Sequence, residues 1–61
     1  MKTSELRRLV EKDGWYIKRH GAKHDIYVHP TKPNVLQIGR HSSEEVKKGT
    51  CEDTLKKAGL R

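Results

Sequence analysis

At 61 residues, of which 31% are hydrophobic, the chain has room for one small core, which excludes a second domain and leaves residues 1–61 as a single unit. Fourteen lysines and arginines against eight acidic residues give a net charge of +6, a balance that selects polyanionic partners, nucleic acid first and an acidic protein second. The lone cysteine, Cys51, excludes an internal disulfide. No apolar run is long enough for a signal-peptide core or a membrane span, so a cytoplasmic protein is expected.

In chain order, residues 3–13 read as a helix: Thr3 or Ser4 can cap it, Glu5 sits in the first turn, and Leu6, Leu9 and Val10 share one face. Gly14 stops it. Trp15-Tyr16-Ile17-Lys18 is aromatic and β-branched, His20-Gly21-Ala22-Lys23 has turn character, and Asp25-Ile26-Tyr27-Val28-His29 resumes a strand, which together predict a β-hairpin. After the breaker-rich Pro30–Asn34, Val35–Gly39 gives a third strand and completes an antiparallel meander. From Arg40 to Lys48 the chain is polar, with Ser42–Glu45 expected to make one helical turn and Val46 as its apolar anchor. Thr50 starts a last helix with Asp53 at capping-box spacing; Cys51, Leu55 and Ala58 form its apolar stripe and Gly59 ends it. The expected fold is α+β, in the order αβββα: a three-stranded antiparallel sheet with both narrow-striped helices on one face and the other face open.

The chemistry centres on Gly21–Pro30, which sets His24 beside Lys23 and near Arg19 and Lys18. RNA carries its own nucleophile, the 2′-hydroxyl, so a minimal ribonuclease needs only to position the strand, remove one proton and stabilise charge on the phosphate. An imidazole, with an ordinary pKa of ~6.5, is suited to be that base. Lys23 and Arg19 are the nearest candidates to hold the scissile phosphate. Lys18, Lys32, Arg40, Lys47 and Lys48 are possible backbone contacts, and His41 is either a second acid–base group or a phosphate contact. Side chains alternate along a strand, so if Tyr27 is core, His24 faces the open side, unless a bulge at Gly21-Ala22 reverses it. His29, beside Pro30, is expected to order its turn and His20 to be exposed in the hairpin. Trp15 and Tyr27 read as core; Tyr16 remains free to stack on a base. His20, His24 and His29 have loose metal-site spacing, but without a cysteine pair neither metal nor cofactor is expected.

Several of these elements, in this order, resemble the HicA toxins, small ribonucleases of bacterial type II toxin–antitoxin pairs. Met1-Lys2-Thr3-Ser4-Glu5-Leu6 through Glu11-Lys12-Asp13-Gly14-Trp15 is similar to their first helix and Asp-Gly-Trp entry to the first strand. Gly21-x-x-His24-x-x-Tyr27 with His29-Pro30 resembles their glycine, catalytic histidine, aromatic and His-Pro signature. His41, Lys48-Gly49-Thr50 and Leu55–Leu60 resemble the elements that close the chain. Where many relatives have Gly-Ser-His, here Ala22-Lys23 separates Gly21 from His24, and Gly39 stands where proline is frequent. The resemblance implies a fold like double-stranded-RNA-binding domains, metal-independent cleavage of mRNA with His24 as catalytic residue, and neutralisation by a HicB-like antitoxin. The rival expectations are a non-catalytic RNA-binding module on the same scaffold and a ribosome-associated basic peptide with little fold of its own.

Overall fold

A computed structural model describes residues 1–41 and 43–61 and gives the order α1 (Thr3–Asp13), β1 (Tyr16–His20), β2 (His24–Val28), β3 (Leu36–Gly39), α2 (Lys48–Lys57). The strands form one antiparallel sheet in the order β1-β2-β3, with β2 central. Leu6 and Val10 of α1, Cys51, Leu55 and Ala58 of α2, and Tyr27, Leu36 and Ile38 of the sheet belong to one buried cluster with Trp15. Both helices therefore cover the face that carries Tyr27, and the αβββα expectation holds. Asp25 pairs with Ile38 and Tyr27 with Leu36, so this face reads Asp25, Tyr27, Leu36, Ile38. By alternation His24, Ile26, Val28, Gln37 and Gly39 belong to the uncovered face.

Each helix ends where a glycine takes the left-handed region that a Cβ disfavours: Gly14 at φ 108° and Gly59 at φ 77°. The pairs Gly14 N–H to Glu11 O and Trp15 N–H to Val10 O, then Gly59 N–H to Lys56 O and Leu60 N–H to Leu55 O, satisfy the last carbonyls of both helices in the same Schellman pattern. The starts differ from expectation. Neither Thr3 nor Ser4 caps α1. Lys2 occupies the cap position, its backbone N–H bonded to Glu5 Oε1 at 3.1 Å, because Thr3 donates both its backbone N–H and its hydroxyl to the Glu44 carbonyl. Helix α2 begins at Lys48, not Thr50, so the Thr50–Asp53 capping box lies inside the first turn and does not form. Leu9 is 41% exposed, outside the stripe of Leu6 and Val10.

The polar stretch before α2 is also corrected. Ser42, where the helical turn was expected to begin, lies outside the described residues, and Ser43–Glu45 are not helical. They run beside the start of the chain instead: Lys2 bridges Glu45, Val46 N–H bonds Met1 O, and Val46 packs against the core as its anchor. Tertiary hydrogen bonds to the residues ahead of α1 displace the local helical propensity of Ser-Ser-Glu-Glu.

Candidate active site

His24 is the first residue of β2 and exposed. The β1–β2 connection that presents it is tight: Gly21 N–H donates to the His24 carbonyl at 2.8 Å, and a Cβ on Gly21 would meet that same oxygen at 2.8 Å. Glycine is required there for close approach of backbone, and the hairpin closes regularly around Ala22-Lys23. The bulge falls elsewhere, between Ile17 and Arg19. It inserts Lys18 and puts Arg19 opposite Ile26, on the His24 face, while His20 comes opposite Asp25 on the helix-covered face.

Beneath His24, at the inward position next to it, Asp25 is 4% exposed. A buried carboxylate requires partners, and it has three: Arg7 Nη2 at 2.7 Å, His20 Nδ1 at 2.6 Å and Arg40 Nε at 3.1 Å. Because an ionised carboxylate only accepts, His20 Nδ1 carries the proton of that pair. The hydrogen bond from His20, then that from Arg7, with a smaller contribution from Arg40, hold Asp25 well below the usual carboxylate range. Arg7 extends the network with Nη2 to the Gly39 carbonyl at 2.8 Å and Nη1 to the Tyr27 hydroxyl at 2.9 Å. The Tyr27 hydroxyl donates in turn to Glu11 Oε2 at 2.8 Å; burial first, and this bond second, push its phenol up to about 12. Arg40 also donates to the Gly21 carbonyl. The guanidinium of α1 thus locks the residue facing His24 across the sheet, Gly39, and Asp25 locks the hairpin turn to the end of β3.

Gly39 leaves space beside His24, since a Cβ there would meet nothing within 4 Å. An open cleft of about 750 Å³ runs from here around the β3 edge toward Leu6, Ile38 and Thr54 on the helix-covered side; Lys23, His24, Gln37, Arg40, His41 and Lys47 line it, with Glu44 and Glu45 also in its wall. Thr50 joins it from the first turn of α2, so the positive end of that helix faces the same space. The structure brings Lys23, Arg40, His41 and Lys47 to His24 in one cleft, and Arg19 onto the same sheet face. Lys18 is exposed in the bulge, and Lys48 is exposed at the start of α2, outside the cleft lining.

Lys32 requires correction. It follows β2 at the opposite end from His24, where Nζ bonds Asp13 Oδ2 at 2.5 Å and the Ala58 carbonyl at 2.7 Å. It ties the ends of both helices together and has no place in the cleft. His29 lies at that end also: Thr31 N–H donates to Nδ1 at 3.1 Å, which leaves Nε2 to donate to the Asp13 carbonyl at 2.9 Å, and the ring meets Trp15 edge-on at 5.3 Å. His20, expected to be simply exposed, is 69% exposed yet bonded to Asp25.

Sequence reasoning missed Asp25 and Arg7. The signal was available: the alternation that sets Tyr27 inward sets Asp25 inward too, and a carboxylate facing a core implies a cation on the element packed over it.

The family model described as HicA toxin of bacterial toxin-antitoxin matches residues 3–60. No match is found among curated proteins. The match takes in both helices, all three strands, the Gly21–His24 turn and the cleft, and the chain therefore belongs to the HicA toxin family, the toxin side of bacterial toxin–antitoxin pairs.

Proposed function

We propose that the chain is a metal-independent endoribonuclease that cleaves mRNA, with His24 as general base. The observation that carries this reading is an exposed histidine on the uncovered sheet face, in a cleft that Lys23, Arg40, His41 and Lys47 also line. His24 takes the proton of the 2′-hydroxyl, the 2′-oxygen attacks the adjacent phosphorus, and the bond to the 5′-oxygen breaks. The products are a 2′,3′-cyclic phosphate and a 5′-hydroxyl, the leaving oxygen taking up a proton. The surrounding cations offset the charge that grows on the phosphate. No metal is required by this sequence of steps, because the nucleophile belongs to the substrate. Proton transfer to one base contributes about 10²–10⁴-fold, enough for slow cleavage of many messages to arrest growth.

As a family member the chain pairs with an antitoxin. A HicB-like protein with an acidic surface fits the +6 charge and would silence the enzyme by covering His24, with charge complementarity speeding capture.

Labelled RNA incubated with the purified protein in EDTA, in parallel with His24→Ala, tests the reading. Cleavage lost in the variant, with RNA affinity and melting temperature retained, is the expected result. RNA binding without cleavage by either form would leave a non-catalytic binding module.

A further inference from the structure

The uncovered sheet face extends well beyond the cleft. On β1 the bulge at Lys18 puts two side chains on this face, Tyr16 opposite Val28 and Arg19 opposite Ile26. All residues of this strand are exposed. Tyr16 is 53% exposed although its neighbour Trp15 is 2% exposed in the core, so folding uses the first aromatic and leaves the second in water. Along β2, Val28, Ile26 and His24 follow on the same face, and the four steps from Val28 to His24 span roughly 13 Å. The face therefore carries, in line, an exposed ring on an aliphatic bed, a guanidinium, and the histidine.

We propose that this face is a track for single-stranded RNA, with Tyr16 as a nucleobase-stacking subsite a few nucleotides from the phosphate at His24 and Arg19 on the backbone between them. The proposal rests on the ribonuclease reading for the position of that phosphate. An aromatic ring on an open sheet stacks on any unpaired base. A duplex hides its base faces, so the ring selects single strands by the one feature they have and duplexes lack. Arg19 on the same face and Lys23 beside His24 supply the charge complementarity that an RNA strand needs. The track explains why β1 keeps a tyrosine in water at the position after the buried tryptophan.

Binding is measured with fluorescein-labelled, fully 2′-O-methylated single strands, which lack the nucleophile and cannot be cut, and cleavage is measured separately on unmodified strands. Tyr16→Ala should weaken single-strand affinity and raise KM on the order of tenfold, with kcat falling less, while Tyr16→Phe stays near wild type. In the wild-type protein, one abasic nucleotide moved stepwise along the strand should reproduce that loss at a single position, and the same abasic strand should cost Tyr16→Ala nothing further. A duplex of the same sequence should bind with no dependence on Tyr16. Unchanged affinity in Tyr16→Ala, or an abasic scan with no sensitive position, overturns the track; so does a variant that binds RNA normally and loses affinity only for an antitoxin. Because binding and cleavage are read apart, a protein that binds by Tyr16 but never cuts defeats the ribonuclease reading and leaves the stacking subsite standing.

Discussion

The two ends of the sheet hold similar groups put to different ends. At one, Asp13, His29 and Lys32 join the C-terminus of α1, the β2–β3 connection and the C-terminus of α2; both nitrogens of His29 are committed, and Lys32 Nζ is shared between a carboxylate and a carbonyl. At the other, His20, Arg7 and Arg40 are all bonded to Asp25, yet His24 stands beside them exposed, and among the described residues its ring has no hydrogen-bond partner. The far end shows what a histidine does here when it is structural: it closes a local loop with both nitrogens. The hairpin end spends a buried carboxylate and two arginines on holding the backbone around a histidine that closes nothing. A rigid frame with one uncommitted side chain is the arrangement expected of a reactive group.

The sharpest way to break this contrast is to delete each histidine. His24→Ala should lower cleavage in EDTA by about 10²–10⁴-fold and leave thermal stability within about 0.5 kcal/mol. His29→Ala should do the reverse, lowering the melting temperature while cleavage per folded molecule is retained. Equal stability losses from both would erase the distinction between the two ends.

Next in size is the frame itself. Arg7→Met removes the bonds to Asp25, Tyr27 and the Gly39 carbonyl together and takes from the buried carboxylate one of its three partners, at a cost of about 3 kcal/mol in urea unfolding. That is a large share of what so small a domain possesses. Arg7→Lys keeps the charge without the fork and should lose less. Acid gives an independent reading of the same network. Asp25 and Asp13 are both held below their ordinary value, the first by His20, Arg7 and Arg40 and the second by Lys32. A carboxyl whose pKa is lower folded than unfolded contributes stability that is present above ~3.9 and is lost as pH falls toward the folded value. Melting temperature should therefore drop between pH 5 and pH 2, and the drop should be shallower in Arg7→Met, where part of the depression of Asp25 is gone.

The fold was legible in the sequence because its signals are local. Gly14 and Gly59 stop the helices, the Pro30–Asn34 breakers separate β2 from β3, and the alternation around Tyr27 carries His24 to the open face. What escaped depends on contacts distant in sequence. Thr3 looks like a helix cap until Glu44, far along the chain, takes its hydroxyl. Arg40 reads as one more phosphate contact until Asp25 and the Gly21 carbonyl occupy its guanidinium. The Lys18 bulge has no mark of its own in Ile-Lys-Arg, yet it decides that Arg19 and not Lys18 pairs with Ile26 on the His24 face. Charge patterning alone could not divide the eight candidates into Lys23, Arg40, His41 and Lys47 in the cleft with Arg19 on the same sheet face, Lys18 and Lys48 exposed outside it, and Lys32, which braces the far end.

That division sets the smallest expected effects, which separate the lysines. Lys32→Met should cost about 1 kcal/mol, the worth of a partly exposed charged pair and one carbonyl bond, and leave the salt dependence of RNA binding unaltered. Lys47→Ala should leave the melting temperature unaltered and reduce the slope of log affinity against log salt by about 1, the release of one counterion. Lys47 lines the cleft at the cap position of α2 with no acidic partner among the described residues, so its charge is available to a phosphate, whereas the charge of Lys32 is already neutralised by Asp13 at 2.5 Å. If the two variants changed the slope equally, RNA would be reading net charge alone, and the sheet would have no end that matters more than the other.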